Sequence, residues 1–183
     1  MLPLDRSALG ETYQRQLSTQ DYSPGARIDG VELIQLRQML DEGGDFMELL
    51  RLGEGGELLA KPGMQVSQIN YSRVMPGAIK AFHLHFNQED VWFVPPEDRL
   101  LVGLVDVRAG SPTYEQRMRF VLGGGRTQLL YIPRGVTHGA ANLWQAPAQL
   151  IYFVNQHFSA QEPDEHRLPW DLCGADFWTI LPG

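Results

Sequence analysis

The sequence predicts an all-β fold, a sandwich or closed barrel built from many short strands. Three observations predict it. Short runs of apolar or alternating residues recur from Gly30 onward, turn-forming clusters separate them, and no helix-length periodic stretch alternates with strands as a βαβ fold would require. The bulk composition agrees: 43% hydrophobic and 20% charged residues is ordinary for a globular chain, and 183 residues suit one domain. The expected organisation is an N-terminal extension over 1–29, a β-barrel over 30–160 and a C-terminal wrap over 161–183.

Taken in order, Asp5 to Arg15 reads as a short helix capped by Asp5 or Ser7. Val66 to Val74 alternates, with Ser67, Ile69, Tyr71 and Arg73 on one face and Gln68, Asn70 and Ser72 on the other. A polar face of that kind would waste core space unless it meets a polar ligand or solvent. Further strands are predicted at Ala78–His85, Val91–Val94, Leu100–Val107, Met118–Leu122, Gln128–Ile132, Gly139–Trp144 and Ala148–Val154. The punctuation lies at Pro95-Pro96, Gly110-Ser111-Pro112, Gly123-Gly124-Gly125 and Ala146-Pro147. The triple glycine reads as a hairpin tip, since the phosphate-loop pattern is absent. Asp106 and Arg108 read as residues that pin a turn.

The charge narrows the function. At −7 net, with no Lys/Arg cluster, the chain is not expected to bind nucleic acid. Cys173 is the only cysteine, which excludes an intramolecular disulfide and a thiolate metal cluster within one chain. The N-terminal residues lack a signal-peptide core, and no stretch approaches the roughly 20 apolar residues needed to span a bilayer, so a cytoplasmic protein without membrane contact is expected.

Two segments carry the chemistry. His83 and His85 lie two apart on a predicted strand and therefore share a face, with Glu89 a short turn later; Pro133 and Gly135 deliver His138 to the start of another strand. Three imidazoles and a carboxylate converging in a barrel could hold a divalent transition metal. These segments, Gly77 to Glu89 and Pro133 to Asn142, resemble the two signature motifs of the cupin superfamily, G-x5-H-x-H-x3-E and P-x-G-x2-H-x3-N. That resemblance implies a jelly-roll barrel.

Within the cupins, residues 30–182 resemble the dTDP-4-dehydrorhamnose 3,5-epimerase family. The likeness rests on Asp41 to Glu48, Gln68 to Ser72, Gly77 to His83, Val105 to Tyr114, Tyr131 to Gly139, Ile151-Tyr152 and Glu165 to Asp171. The resemblance implies a nucleotide-sugar epimerase or isomerase acting on a dTDP-4-keto-6-deoxy-hexose, working without a cofactor and forming a homodimer. It makes His83 the base that removes the proton next to the ketone and Tyr152 the acid that returns one from the opposite face. It puts Glu48, Gln68, Asn70, Lys80, His138 and Glu165 on the nucleotide, diphosphate or sugar.

The chain departs from the family pattern at several points. Gly43 replaces an Arg, Lys80 replaces another, and His85 replaces a Gln. Asp90 stands where the family has a Lys near the enolate; an anion there is expected to oppose catalysis by a few kcal/mol at an effective dielectric of ~20. The family's Asp that orients the base falls beyond Gly183, so the base is expected to lack such a partner. Two other readings therefore stand beside the first. One is a metal-dependent enzyme using His83, His85, Glu89 and His138; the other is a sugar-binding protein without catalysis.

Overall fold

Strand-forming residues and turn-forming glycines, prolines and asparagines assemble into two five-stranded antiparallel sheets, in a computed structural model that describes residues 3–181. The strands are β1 (Glu32–Gln35), β2 (Gln38–Asp41), β3 (Gly44–Met47), β4 (Gln68–Val74), β5 (Ile79–Leu84), β6 (Asp90–Phe93), β7 (Arg99–Asp106), β8 (Arg117–Gly123), β9 (Gln128–Ile132), β10 (Val136–Ala141), β11 (Ala148–Val154) and β12 (His166–Arg167). One sheet has the order β1-β9-β6-β11-β4 and the other β12-β5-β10-β7-β8, while β2 and β3 form a separate two-stranded ribbon. Val102, Leu104 and Leu122 of one sheet pack against Trp92, Leu130 and Ile132 of the other in a shared core. The fold is the all-β jelly roll expected.

Both sheets are also covered outside, which explains the apolar runs Val91–Phe93 of β6 and Leu129–Ile132 of β9. Leu58 and Met64, from the segment between β3 and β4, pack on Val91, Phe93, Leu129 and Phe153. On the opposite side Trp178 from the C-terminal segment packs on Phe82, Leu101 and Val105. Gly103 admits it: a Cβ there would collide with the Phe177 and Trp178 rings. The Trp178 indole donates to Trp170 O at 2.8 Å, so its buried N–H is satisfied. Met1, Leu2, Pro182 and Gly183 lie outside the described residues.

Three sequence expectations are corrected. The N-terminal helix is two pieces, a 3-10 turn at Arg6–Ala8 capped by Asp5 and an α-helix at Glu11–Gln16, because Gly10 between them is extended. The triple glycine is a crossover between sheets and not a hairpin tip. β8 pairs with β7 and β9 with β6 and β1, and the glycines take positive φ while Gly124 and Gly125 donate to Asp98 O and Pro96 O. The strand expected at Gly139–Trp144 runs instead over Val136–Ala141. Asn142 ends it: its amide donates to Val74 O and Ala146 O at 2.9 and 2.8 Å, and its oxygen accepts from Trp144 N, which curls the chain out of the ladder.

The Asp106 turn is a fully buried carboxylate accepting from Arg108, Ser111 and Thr113. Burial pushes its pKa up, but these donors outweigh that and hold it well below the usual carboxylate range.

Candidate active site

Alternation along β4 turns Gln68, Asn70 and Ser72 inward, opposite the outward Ile69, Tyr71 and Arg73. Their inner face borders a cavity of about 620 Å³ between the sheets, which His83, His85, Asp90, Trp92, His138 and Tyr152 also line. β6 and β11 continue that wall, β5 and β10 of the other sheet form the second, and Asp164, Glu165 and Arg167 close one side. Gln68 donates to Asn70 at 2.7 Å and Lys80 to Ser72 at 2.9 Å, so the polar row is pre-oriented.

His83 and His138 are register partners across β5 and β10, which turns both imidazoles toward the cavity. Their rings lie 6.1 Å apart and nearly parallel, at 8°. On the other side β12 pairs with β5, setting Arg167 opposite His83 and bringing Glu165 Oε1 to 3.2 Å from His83 Nδ1. Arg167 holds the same Glu165 oxygen at 2.6 Å. Burial is the largest influence on His83 and lowers its pKa to about 4; His138 and Arg167 push the same way, and Glu165 opposes them. The imidazole is therefore a free base at neutral pH, with its proton on the nitrogen that Glu165 addresses. The Glu165 carboxyl lies below its ordinary value: burial pushes it up, but His83 and Arg167 outweigh that.

Asp90 sits at the start of β6, 3% exposed. Its Oδ2 lies 3.1 Å from His138 Nε2 and 3.6 Å from His85 Nε2, and its Oδ1 accepts from Gln88 at 2.9 Å. The carboxylate expected to stand bare beside the reaction instead accepts from Gln88 on one oxygen and faces two imidazole nitrogens with the other. Tyr152, between Asn70 on β4 and Trp92 on β6 in register, has its pKa raised by burial first and then by Asp90 and Glu165. Its phenol keeps its proton near neutrality.

Of the residues singled out from sequence, His83, Tyr152, Gln68, Asn70, Lys80, His138, Glu165 and His85 line the cavity, and two do not. Glu48 follows the β2–β3 ribbon, which joins neither large sheet, and pairs with Arg51 at 2.8 Å outside the cavity. Glu89 points away from the histidines, bound to Arg134 at 2.8 Å, so the set His83, His85, Glu89 and His138 does not assemble as a metal centre. The reason is the strand period: Glu89 precedes inward-facing Asp90 and takes the opposite side. A third correction concerns His83, the expected base, which does have a carboxylate neighbour, Glu165, within the chain. Sequence reasoning missed Asp164, whose carboxylate accepts from the backbone N–H groups of Phe86, Asn87 and Gln88 and so shapes the loop between His85 and Asp90. It also missed Arg167. A charged triplet next to a two-residue strand was the available signal, but its target appears only on folding.

A jelly roll with a polar cavity, a histidine–carboxylate pair and a tyrosine defines a cupin-fold protein equipped for acid–base chemistry. The family model for dTDP-4-dehydrorhamnose 3,5-epimerase matches residues 25–174, and the chain belongs to that family. It is 40% identical to the spore coat polysaccharide biosynthesis protein SpsL of Bacillus subtilis, over 79% of this chain and 91% of that protein. It is 32% identical to a probable low-salt glycan biosynthesis epimerase of Haloferax volcanii, over 79% and 89% of the two chains. Among solved structures, a dTDP sugar isomerase from Desulfovibrio desulfuricans superposes with a TM-score of 0.67 at 29% identity, covering 84% of this chain and 91% of that one. An epimerase from Legionella pneumophila, solved with dTDP-4-keto-L-rhamnose, gives 0.67 at 26% identity, covering 79% and 75%.

Proposed function

We propose that the protein epimerises a dTDP-linked 4-keto-6-deoxy-hexose by proton abstraction next to the ketone. The observation that carries this is His83 in the cavity, held as a free base with Glu165 at its Nδ1. His83 Nε2 takes the proton from the carbon beside the ketone, the electrons move into the enolate, and Glu165 stabilises the imidazolium that forms. Tyr152 returns a proton to the opposite face, which inverts the centre. Solvent then removes the proton from His83 and restores the one on Tyr152. Lys80 and Arg167, the lysine and arginine of the cavity wall, suit the diphosphate, and Gln68 and Asn70 the base or ribose. No metal or organic cofactor enters these steps.

The test is incubation with a dTDP-4-keto-6-deoxy-hexose in D2O, read by mass spectrometry and NMR. Incorporation of deuterium next to the ketone, with inversion there, is expected, and the number of deuterons separates action at C3, C5 or both. A sugar recovered without deuterium sinks the reading and leaves the non-catalytic one.

The proposed assembly is a homodimer. An isolated two-stranded ribbon is marginal in water, yet β2–β3 exposes Leu40 at 78% and Phe46 at 61%. Edge strand β4 exposes Ile69 and Tyr71. Light scattering should return twice the chain mass, and a monomer would refute the assembly. No described helix is long and apolar enough to cross a membrane. We propose a cytoplasmic location, which the biosynthetic reading supports.

A further inference from the structure

Three acceptor atoms converge in the cavity wall apart from the His83–Glu165 pair. His138 Nδ1 lies 3.0 Å from Val136 O, and His85 Nδ1 contacts Asp164 O. A carbonyl oxygen only accepts, so each ring carries its proton on Nδ1 and turns Nε2 inward. Both Nε2 atoms face the same carboxylate oxygen of Asp90, at 3.1 and 3.6 Å, and one ligand atom from each residue lies within 4.8 Å of the others. All three residues are buried, none more than 7% exposed. Buried lone pairs gathered at one point require a positive charge among them.

We propose that His85, Asp90 and His138 form a binding site for a divalent transition-metal ion, with the remaining coordination positions open to the cavity. Two imidazoles and a carboxylate suit zinc, iron, manganese or nickel. Ligand atoms around a tetrahedral ion with bonds of ~2.0–2.1 Å stand roughly 3.3 Å apart, close to the observed spacings. The surroundings also fit. Val136 O and Asp164 O fix the two rings, and Gln88 fixes Asp90 Oδ1 at 2.9 Å, the outer partners that orient metal ligands. The competing arrangement is a single proton shared by His138 and Asp90. It leaves His85 Nε2 with only the Gln88 amide at 3.4 Å, a long hydrogen bond, while that nitrogen faces Asp90.

The residues come from β5's end, β6 and β10, so the ion would tie one sheet to the other. Its open side would present a Lewis acid to a carbonyl or hydroxyl oxygen in the cavity. The inference does not rest on the proposed epimerisation, because metal uptake is measured with no sugar present.

The experiment is Co2+ titration of the full chain, purified without a nickel column and stripped with chelator, followed by visible absorption. One saturable equivalent is expected. Asp90→Asn and His85→Ala should each weaken uptake on the order of tenfold or more, while Glu89→Gln should bind as the unaltered chain does. Circular dichroism verifies that each variant is folded. An unaltered chain that takes up no cobalt would show that the cluster holds only a proton. Uptake that survives both Asp90→Asn and His85→Ala, or that disappears in Glu89→Gln, would equally overturn the site.

Discussion

His83→Ala is expected to lower turnover of the 4-keto sugar nucleotide by roughly a thousandfold or more, since it removes the proposed base. Deuterium exchange next to the ketone should disappear with it, while binding of the nucleotide, measured by calorimetry, persists. Glu165→Gln tests the partner separately. Burial holds the His83 pKa near 4 against the upward pull of Glu165. As the proposed base, His83 acts when unprotonated, so activity is expected to fall as pH drops through its pKa. Neutralising Glu165 removes the upward pull, and the acid limb of kcat/KM for the free enzyme should move to lower pH as kcat falls. A carboxylate that only braced β12 would leave that limb in place. Turnover by His83→Ala close to the unaltered level would remove the base assignment altogether.

Tyr152→Phe should produce a different defect of comparable size. Product formation should fall by ~100- to 10,000-fold through loss of a positioned acid. Proton abstraction by His83 would continue, and the proton would return from the same face. Recovered substrate should therefore gain deuterium without inversion. Burial, then Asp90 and Glu165, raise the phenol's pKa, so the unaltered enzyme should keep its acid through neutral pH, with any basic limb above the ordinary tyrosine value. Inversion at the normal rate would exclude Tyr152 as the acid. Loss of exchange as complete as in His83→Ala would mean that Tyr152 also serves the abstraction step.

The two assignments were legible to different degrees. The polar face of β4 was readable because strand alternation is local: Gln68, Asn70 and Ser72 must share a side whatever they pair with. The ribbon β2–β3 and strand β1 were not resolved individually from sequence. Their burial pattern is weak, with Leu33, Leu40 and Phe46 exposed, so no clean apolar period marks them. The triple glycine shows the limit of turn chemistry. Its positive φ was legible, but which sheet each flanking strand joins depends on partners distant in sequence.

Asp90 illustrates the same divide at the site. By itself it reads as a reversed charge beside the reaction, and only the meeting of β5, β6 and β10 shows it enclosed by His85, His138 and Gln88. The sequence does not reveal the carboxylate beside His83, because Glu165 is 82 positions away and reaches it through the pairing of β12 with β5.

The amino-acid order alone determined the all-β class, the inward row on β4 and the pair His83 and His138 as cavity residues, because period-two geometry and the turns that flank those strands are properties of short segments. Tertiary structure alone decided that Glu165 serves His83, that Glu89 serves Arg134 and that Asp90 belongs with two histidines. A carboxylate's role depends on which opposite charge or donor lies within about 4 Å, and that distance is set by strand pairing across the whole chain.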